Sequence, residues 1–105
     1  MEPANSDITV SNVVVSRAGR DQGEWFYVID ADDTYLLLVN GKEHKLISPK
    51  RKNRKHVFVL EAESEYFASL VQGQKQLTDK GLRRELSRLN NLLQLGGNNG
   101  KRRYH

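Results

Sequence analysis

One segment of the chain combines residue types that favour contact with a polyanion. Five Lys or Arg residues and one histidine follow Pro49 within seven positions: Lys50, Arg51, Lys52, Arg54, Lys55 and His56. Cations at this density repel one another and cannot all be buried, and a bound polyanion would relieve the repulsion and release counterions. A solvated basic loop without a ligand is the alternative. Because the segment adjoins strand-like sequence and is not a loose tail, we expect it to contact nucleic acid.

Residue types that support catalysis or metal binding in other proteins are present in this chain, but their spacing suits neither role. Asp30, Asp32 and Asp33 lie together but lack the glycine and the closing glutamate of a calcium loop. His44 and His56 lie in or beside the basic segment, whose positive charge opposes a metal ion. The serines lack the glycines of a nucleophile elbow, and the absence of cysteine excludes thiolate catalysis and cysteine zinc sites. We therefore expect no catalytic residue, no metal site, no cofactor and no enzyme activity.

The composition indicates one small domain with an uneven charge distribution. The 105 residues are 37% hydrophobic and 29% charged, with a net charge of +4, and residues 42–56 carry seven Lys or Arg against one Glu. No segment approaches the roughly 20 apolar residues of a membrane helix. The polar, acidic stretch 1–7 is not typical of a signal or transit peptide. We expect a cytoplasmic protein that is monomeric when free and does not associate with membranes.

Short strands are predicted to position the basic segment. Apolar, β-branched or aromatic runs indicate strands around 10–15, 25–29, 35–39, 42–47 and 57–60. Asn40-Gly41 predicts a two-residue type I′ hairpin turn between the third and fourth strands. Because the loops are too short for crossover helices, the strands should form an antiparallel meander that closes into a small barrel. The apolar runs are nearly continuous, so part of the outer face should also be covered.

Two helices are predicted to supply that cover. The first spans Glu63–Gln72, and the second begins after Thr78, a favourable N-cap, and ends at Gly96-Gly97. The second helix carries one apolar stripe that should pack on the barrel, formed by Leu82, Leu86, Leu89 and Leu93. We expect the basic tail, residues 98–105, to be disordered.

Residues 13–28 resemble a KOW motif, in which apolar residues lead into a Gly-basic-Asp-x-Gly loop and a second apolar strand. Gly19 and Gly23 match the loop glycines, and Arg20 matches the basic position. More broadly, residues 8–60 are similar to small bacterial KOW-domain RNA-binding proteins, which are related to large-subunit ribosomal proteins of the fourteen-e type. The Asn40-Gly41-Lys42 turn, the basic segment and Leu77-Thr78-Asp79 fit the same resemblance.

The resemblance implies a mainly β fold, namely an SH3-like small antiparallel β-barrel of the KOW type with a C-terminal helical extension. The barrel would span residues 7–60, the extension would span 61–97 and pack on the barrel, and the tail would follow. The implied function is non-enzymatic binding of structured RNA, often ribosomal RNA, in a ribonucleoprotein of the translation apparatus.

Taken together, the basic segment and the resemblance predict one RNA-binding surface. Its residues are Arg17, Arg20, Lys42, Lys45, Lys50, Arg51, Lys52, Arg54, Lys55 and His56, with Gly19 and Gly23 shaping the loop. These cations should neutralise phosphates and recognise RNA by shape more than by base. Trp25 and Tyr27 could stack on an unpaired base, although aromatic residues in strands more often belong to the core. The alternative is a protein-interaction module that uses the barrel or the leucine-striped helix.

Overall fold

The computed structural model describes residues 8–60 and 64–97. In chain order the elements are β1 (Val13–Ser16), β2 (Trp25–Ala31), β3 (Tyr35–Val39), β4 (Lys50–Asn53), a 3-10 helix (Arg54–His56), β5 (Val57–Leu60), α1 (Glu65–Val71) and α2 (Asp79–Gly97). The predicted start of the barrel at Asp7, the start of the first helix at Glu63 and the tail 98–105 lie outside the described residues.

The five strands form one antiparallel sheet in the order β4-β3-β2-β1-β5. Val14 of β1 lies opposite Phe26 of β2 on one side and opposite Val59 of β5 on the other. The last strand of the meander therefore returns to the first. The predicted antiparallel sheet with a C-terminal helix is confirmed, and its strand order is consistent with a small β-barrel-like fold.

Alternate residues of the strands form a core on the inner face of the sheet. Its fully buried members are Ile8, Val14, Phe26, Val28, Leu36, Leu38 and Val57. This spacing follows from the two-residue period of a strand, which sends successive side chains to opposite faces. The observed β1 begins at Val13, because Val10 lies in a turn before it and is exposed.

The outer face of the sheet carries a second core, which the helices cover. Val13, Tyr27 and Val39 point to this face and pack against Phe67 of α1 and against the leucines of α2. The rings of Tyr27 and Phe67 are stacked, with their centroids 4.7 Å apart. Both faces of the central strands are thus buried, which explains their nearly continuous apolar sequence.

Three of the four stripe leucines pack as predicted. Leu82, Leu86 and Leu89 are buried in the outer core, but the prediction for Leu93 is wrong, because this side chain is 46% exposed. The 19 residues of α2 make a helix of about 28 Å. Its last turns extend past the core, and Leu92 is exposed there as well.

Local capping sets where both helices begin. The Thr78 hydroxyl accepts a hydrogen bond from the Gly81 N–H at 3.0 Å, and the Ser64 hydroxyl accepts one from the Phe67 N–H at 3.1 Å. These side chains satisfy N–H groups that the first turn leaves without helical partners. The predicted N-cap of α2 is therefore confirmed.

The connection after β3 differs from the predicted hairpin. Gly41 has a φ of +78°, but among the described residues Ser11 is the only non-glycine with a positive φ, so Asn40 cannot form a type I′ turn. The Asn40 side-chain oxygen instead accepts hydrogen bonds from the N–H groups of Lys42 at 2.9 Å and His44 at 3.0 Å. These bonds hold residues 40–49 as a loop and compete with a strand ladder.

The predicted fourth strand, 42–47, is therefore wrong. The strand that pairs with β3 is the first half of the basic segment, and Lys50 lies opposite Leu38. The second half of the segment forms the 3-10 helix. The residues expected to form a basic loop are thus part of the sheet and its connection to β5.

Candidate nucleic-acid interface

The loop that joins β1 to β2, residues 17–24, is termed the glycine loop. Gly19 and Gly23 adopt φ values of +87° and +90°, in the left-handed region that glycine occupies without a steric penalty. The Gly23 N–H donates to the Ser16 carbonyl at 2.8 Å, and the Glu24 N–H donates to the Asp21 carbonyl at 2.9 Å. The two glycines therefore allow a compact reversal of the chain between the strands.

A buried carboxylate holds the glycine loop against β4. Asp21 is only 8% exposed, and its Oδ1 accepts hydrogen bonds from the Ser16 hydroxyl at 2.6 Å and from Lys52 Nζ at 2.9 Å. Lys52 Nζ also donates to the Ala18 carbonyl at 3.0 Å. The second carboxylate oxygen lies 3.6 Å from Lys50 Nζ. Asp21 therefore connects the glycine loop to a strand about 30 positions further along the chain.

The surroundings of Asp21 favour its ionised form. Burial alone would raise the pKa of the Asp21 carboxyl, but the hydrogen bonds from the Ser16 hydroxyl and the Lys52 ammonium, together with the lysine charge, outweigh it. The pKa of Asp21 is consequently below its usual value. The contact with β4 is thus an ion pair at neutral pH.

The cations of β4 divide between its two faces. Lys50 and Lys52 lie opposite Leu38 and Leu36, on the inner side, and the Lys52 side chain is only 9% exposed. Arg51 points to the outer side, where its guanidinium lies 4.0 Å from the centroid of the Tyr35 ring. The expectation that every cation of the segment lies on the surface is therefore wrong for Lys52, whose charge is neutralised inside the fold.

Arg54 also has a structural role. Its Nε donates to the Asp32 carbonyl at 2.6 Å, and one of its terminal nitrogens donates to the Ile8 carbonyl at 2.8 Å. The half-buried guanidinium thus joins the 3-10 helix to the turn before β3 and to the segment before β1. A guanidinium can donate to two backbone carbonyls at once, because its several N–H groups are fixed in one plane.

Exposed cations remain at the end of the sheet where the glycine loop lies. The Arg17 N–H donates to the His56 carbonyl at 2.8 Å, so the start of the loop adjoins the end of the 3-10 helix. Arg17, Arg20 and Lys55 are exposed, and Lys50 and His56 are partly exposed. We call this group the loop–strand surface: Arg17, Arg20, Lys50, Lys55 and His56.

Lys42 and Lys45, which were predicted to belong to the same surface, lie on the loop 40–49. That loop is held against the start of α2, since the Leu46 N–H donates to Asp79 Oδ1 at 2.8 Å. Arg83 donates to the Gly41 carbonyl at 2.9 Å. The loop that carries these two lysines is therefore bonded to α2.

The two aromatic candidates for base stacking have different environments. Tyr27 is buried under α1, and its hydroxyl donates to the Ser11 hydroxyl at 3.1 Å, so it is not available to a base. Trp25 is only partly buried and lines a cleft between β2, the loop 40–49 and α2. The α2 residues Arg83, Ser87 and Asn90 line the same cleft. None of the three was predicted as a site residue, although they lie on the polar flank of the leucine stripe.

The described structure contains neither a candidate metal centre nor a membrane-spanning helix. Within residues 8–60 and 64–97, no group of three or more His, Asp or Glu side chains is arranged to hold a metal ion. In the same residues, no helix is both long enough and apolar enough to cross a bilayer.

Comparison with protein families and curated proteins identified no relative of this chain. No protein-family model matches the chain, and a search of curated proteins returns no match.

Proposed function

We propose that the protein binds structured RNA, without catalysis, through the loop–strand surface. The observation that carries this proposal is the ion pair of Asp21 with Lys52, which holds the glycine loop on β4. The bond from the Arg17 N–H to the His56 carbonyl joins the loop to the 3-10 helix as well, so Arg17 and Arg20 lie at the same end of the sheet as Lys55. A surface of exposed cations on a rigid support is suited to the phosphates of a folded RNA.

The arrangement favours recognition of RNA shape. Arg17 and Arg20 offer forked donors to phosphate oxygens, and Lys55 adds a compact positive charge. The loop backbone is already ordered by Asp21, so binding would not have to order it. Lys52 and Arg54 contribute by holding this geometry, and their main role is not to touch phosphate.

We also propose that the fold is an SH3-like barrel of the KOW type. A meander whose last strand pairs with its first suits an SH3-like barrel, and the positive φ of Gly19 and Gly23 suits a KOW loop. We extend the proposal to ribosomal RNA as the ligand, to a cytoplasmic location and to a monomeric free protein. Co-sedimentation of the protein with ribosomal particles from cell extract would support the ribosomal ligand.

The alternative of a protein-interaction module has less support where it depends on the leucine-striped helix. Leu82, Leu86 and Leu89 are occupied by the core of the same chain, so a partner helix could not pair with them. Of the four stripe leucines, Leu93 is exposed, and the neighbouring Leu92 is exposed as well.

A matched pair of triple variants tests the proposal. In the first, Arg17, Arg20 and Lys55 are replaced by Gln. In the control, the exposed residues Lys75, Lys80 and Arg84, which lie in or near α2, are replaced by Gln, so the net charge changes equally. Binding to a structured ribosomal RNA fragment is measured by fluorescence anisotropy at several salt concentrations.

We expect the first triple variant to reduce the slope of log K against log salt by about 2–3, since each phosphate contact contributes about 0.7–0.9. Its free energy of unfolding should remain within about 0.5 kcal/mol of the parent. The control should keep most of the affinity and slope. Equal losses in both variants would show that only net charge matters, and absence of RNA binding by the parent at low salt would refute the function.

A further inference from the structure

The cleft beside Trp25 has the dimensions of a small-ligand site. Its volume is about 400 Å³, within the range of typical ligand pockets. Trp25 lines it from the start of β2. The polar residues around it come from the glycine loop, the loop 40–49 and α2, and they are Glu24, Asn40, Lys42, Glu43, Arg83, Ser87 and Asn90.

Contacts between the loop and α2 hold the cleft in shape. Arg83 donates to the Gly41 carbonyl, and Asn40 Nδ2 donates to Glu43 Oε1 at 3.3 Å. The backbones approach so closely that a Cβ on Gly41 would overlap the Asp79 carbonyl. The walls are therefore formed before any ligand binds, which lowers the entropy lost on binding.

The charges of the lining are unsuited to a phosphate. Lys42 and Arg83 are balanced by Glu24 and Glu43, which line the same cleft. An anion would meet two carboxylates, and a cation would meet two basic groups. A neutral, planar ligand with both donors and acceptors fits this environment better.

A nucleobase has these properties. Its π-face can stack on the indole of Trp25, one side of which packs against the outer core. Its edge carries donors and acceptors that a carboxylate and a hydroxyl can satisfy. Glu43 and Ser87 provide one of each.

The cleft adjoins the glycine loop, which also carries Arg17 and Arg20. Gly23, the last glycine of the glycine loop, is part of its lining. A strand whose phosphates contact Arg17 and Arg20 would therefore have a neighbouring base within reach of the cleft. We propose that the cleft receives one unpaired nucleobase of the bound RNA, stacked on Trp25. This inference rests on the proposed function and specifies its ligand as RNA with a bulge or loop.

The single tryptophan of the chain makes the inference directly measurable. The full chain is titrated with an RNA hairpin that carries one bulged nucleotide, and with the same hairpin whose stem is fully paired. We expect the bulged RNA to quench the fluorescence of Trp25 and to bind about tenfold more tightly, as stacking of one base allows. The paired hairpin should bind through the loop–strand surface with little quenching.

Two variants of α2 test whether the quenching and the bulge preference arise in the cleft. Ser87→Tyr places a large side chain in the cleft and leaves Trp25 as the reporter, so quenching by the bulged RNA and its tenfold preference should both disappear. Asn91→Tyr makes the same kind of change at an exposed position of α2 outside the cleft lining, and both signals should persist. Trp25→Leu should also remove the preference for the bulge.

The outcomes separate the two proposals. If both hairpins bind with equal affinity and equal fluorescence change, the cleft does not receive a base, although RNA binding stands. Persistence of the bulge preference in Ser87→Tyr would likewise overturn the inference. If neither hairpin binds at low salt, the proposed function itself is wrong, and the cleft inference fails with it.

Discussion

The glycine loop and the loop 40–49 are both ordered by a buried polar side chain, but the contacts of that side chain differ in kind. Each contains a buried polar side chain that organises its backbone and a glycine with positive φ. In the glycine loop the organising group is the charged Asp21, which binds side chains of other segments. In the loop 40–49 it is the neutral Asn40, which binds backbone N–H groups of its own loop.

The space around the glycines differs just as clearly. A Cβ on Gly23 would meet nothing within 4 Å, whereas a Cβ on Gly41 would overlap the Asp79 carbonyl and lie 3.0 Å from the backbone nitrogen of Arg83. The glycine loop is therefore fastened by charge and leaves its arginines in solvent. The loop 40–49 is fastened by close packing and serves as a wall of the Trp25 cleft. The first should respond to charge and pH, and the second to side-chain volume.

The largest effect is expected at Gly41. Gly41→Ala should destabilise the protein by about 3 kcal/mol or more, because the left-handed φ costs about 1–2 kcal/mol and displacement of α2 adds an overpacking cost of about 1–3 kcal/mol. The free energy of unfolding in urea measures this. Gly23→Ala is the matched control, and the φ penalty alone should apply to it. Equal losses of unfolding free energy at the two positions would contradict the steric difference between the loops.

The next effect concerns the charge of Asp21. Asp21→Asn should destabilise the protein by about 2–3 kcal/mol at neutral pH, because Lys52 would be left nearly buried without its counter-charge. Asp33→Asn, at an exposed position, should have little effect. A double-mutant cycle with Lys52→Met should show a coupling energy, whereas additive losses would contradict the ion pair.

The same variant predicts a dependence on pH. The pKa of Asp21 is lowered in the folded protein, since the bonds from Ser16 and Lys52 outweigh the opposing effect of burial. Its stabilisation is therefore complete above the unfolded value of about 3.9 and is lost as the pH falls through the folded pKa. The difference in unfolding free energy between parent and Asp21→Asn should shrink below about pH 4. A constant difference from pH 7 to pH 2 would be inconsistent with a charged Asp21.

A smaller and nearly pH-independent loss is expected at Asn40. Asn40→Ala should destabilise the protein by about 1–2 kcal/mol, because two partly buried N–H groups lose their acceptor. The amide itself does not titrate, and its titratable partner Glu43 is exposed, so the loss should vary with pH less than that of Asp21→Asn. Urea unfolding at pH 7 and pH 2 compares the two variants. A stronger pH dependence at Asn40 than at Asp21 would reverse the distinction between the loops.

The smallest effect on stability is expected at the surface of the glycine loop. Arg20→Gln should change the free energy of unfolding by less than about 0.5 kcal/mol, because the side chain is exposed. In RNA binding it should reduce the salt slope by about 0.7–0.9. Arg84→Gln on α2 is the control and should leave the slope unchanged. A destabilised Arg20→Gln would show that this arginine supports the fold.

Local residue chemistry was sufficient to predict much of the fold. The β-branched and aromatic runs predict three of the five strands closely, and Thr78 followed by periodic leucines predicts α2. These signals are local, because strand and helix periods and capping depend on neighbours within a few positions. The same reasoning failed after Asn40, where the side chain bonded its own backbone in place of a hairpin ladder.

The roles of the individual cations were decided by contacts distant in sequence. Nothing in the run 50–56 distinguishes Lys52 and Arg54 from their neighbours, because their partners lie 22 to 46 positions away. Chain folding brings Asp21 and the carbonyls of Asp32 and Ile8 to these two side chains, and it leaves Arg20 and Lys55 in solvent. Composition therefore predicted a basic surface, and the three-dimensional arrangement determined which of its charges support the fold and which remain exposed to a ligand.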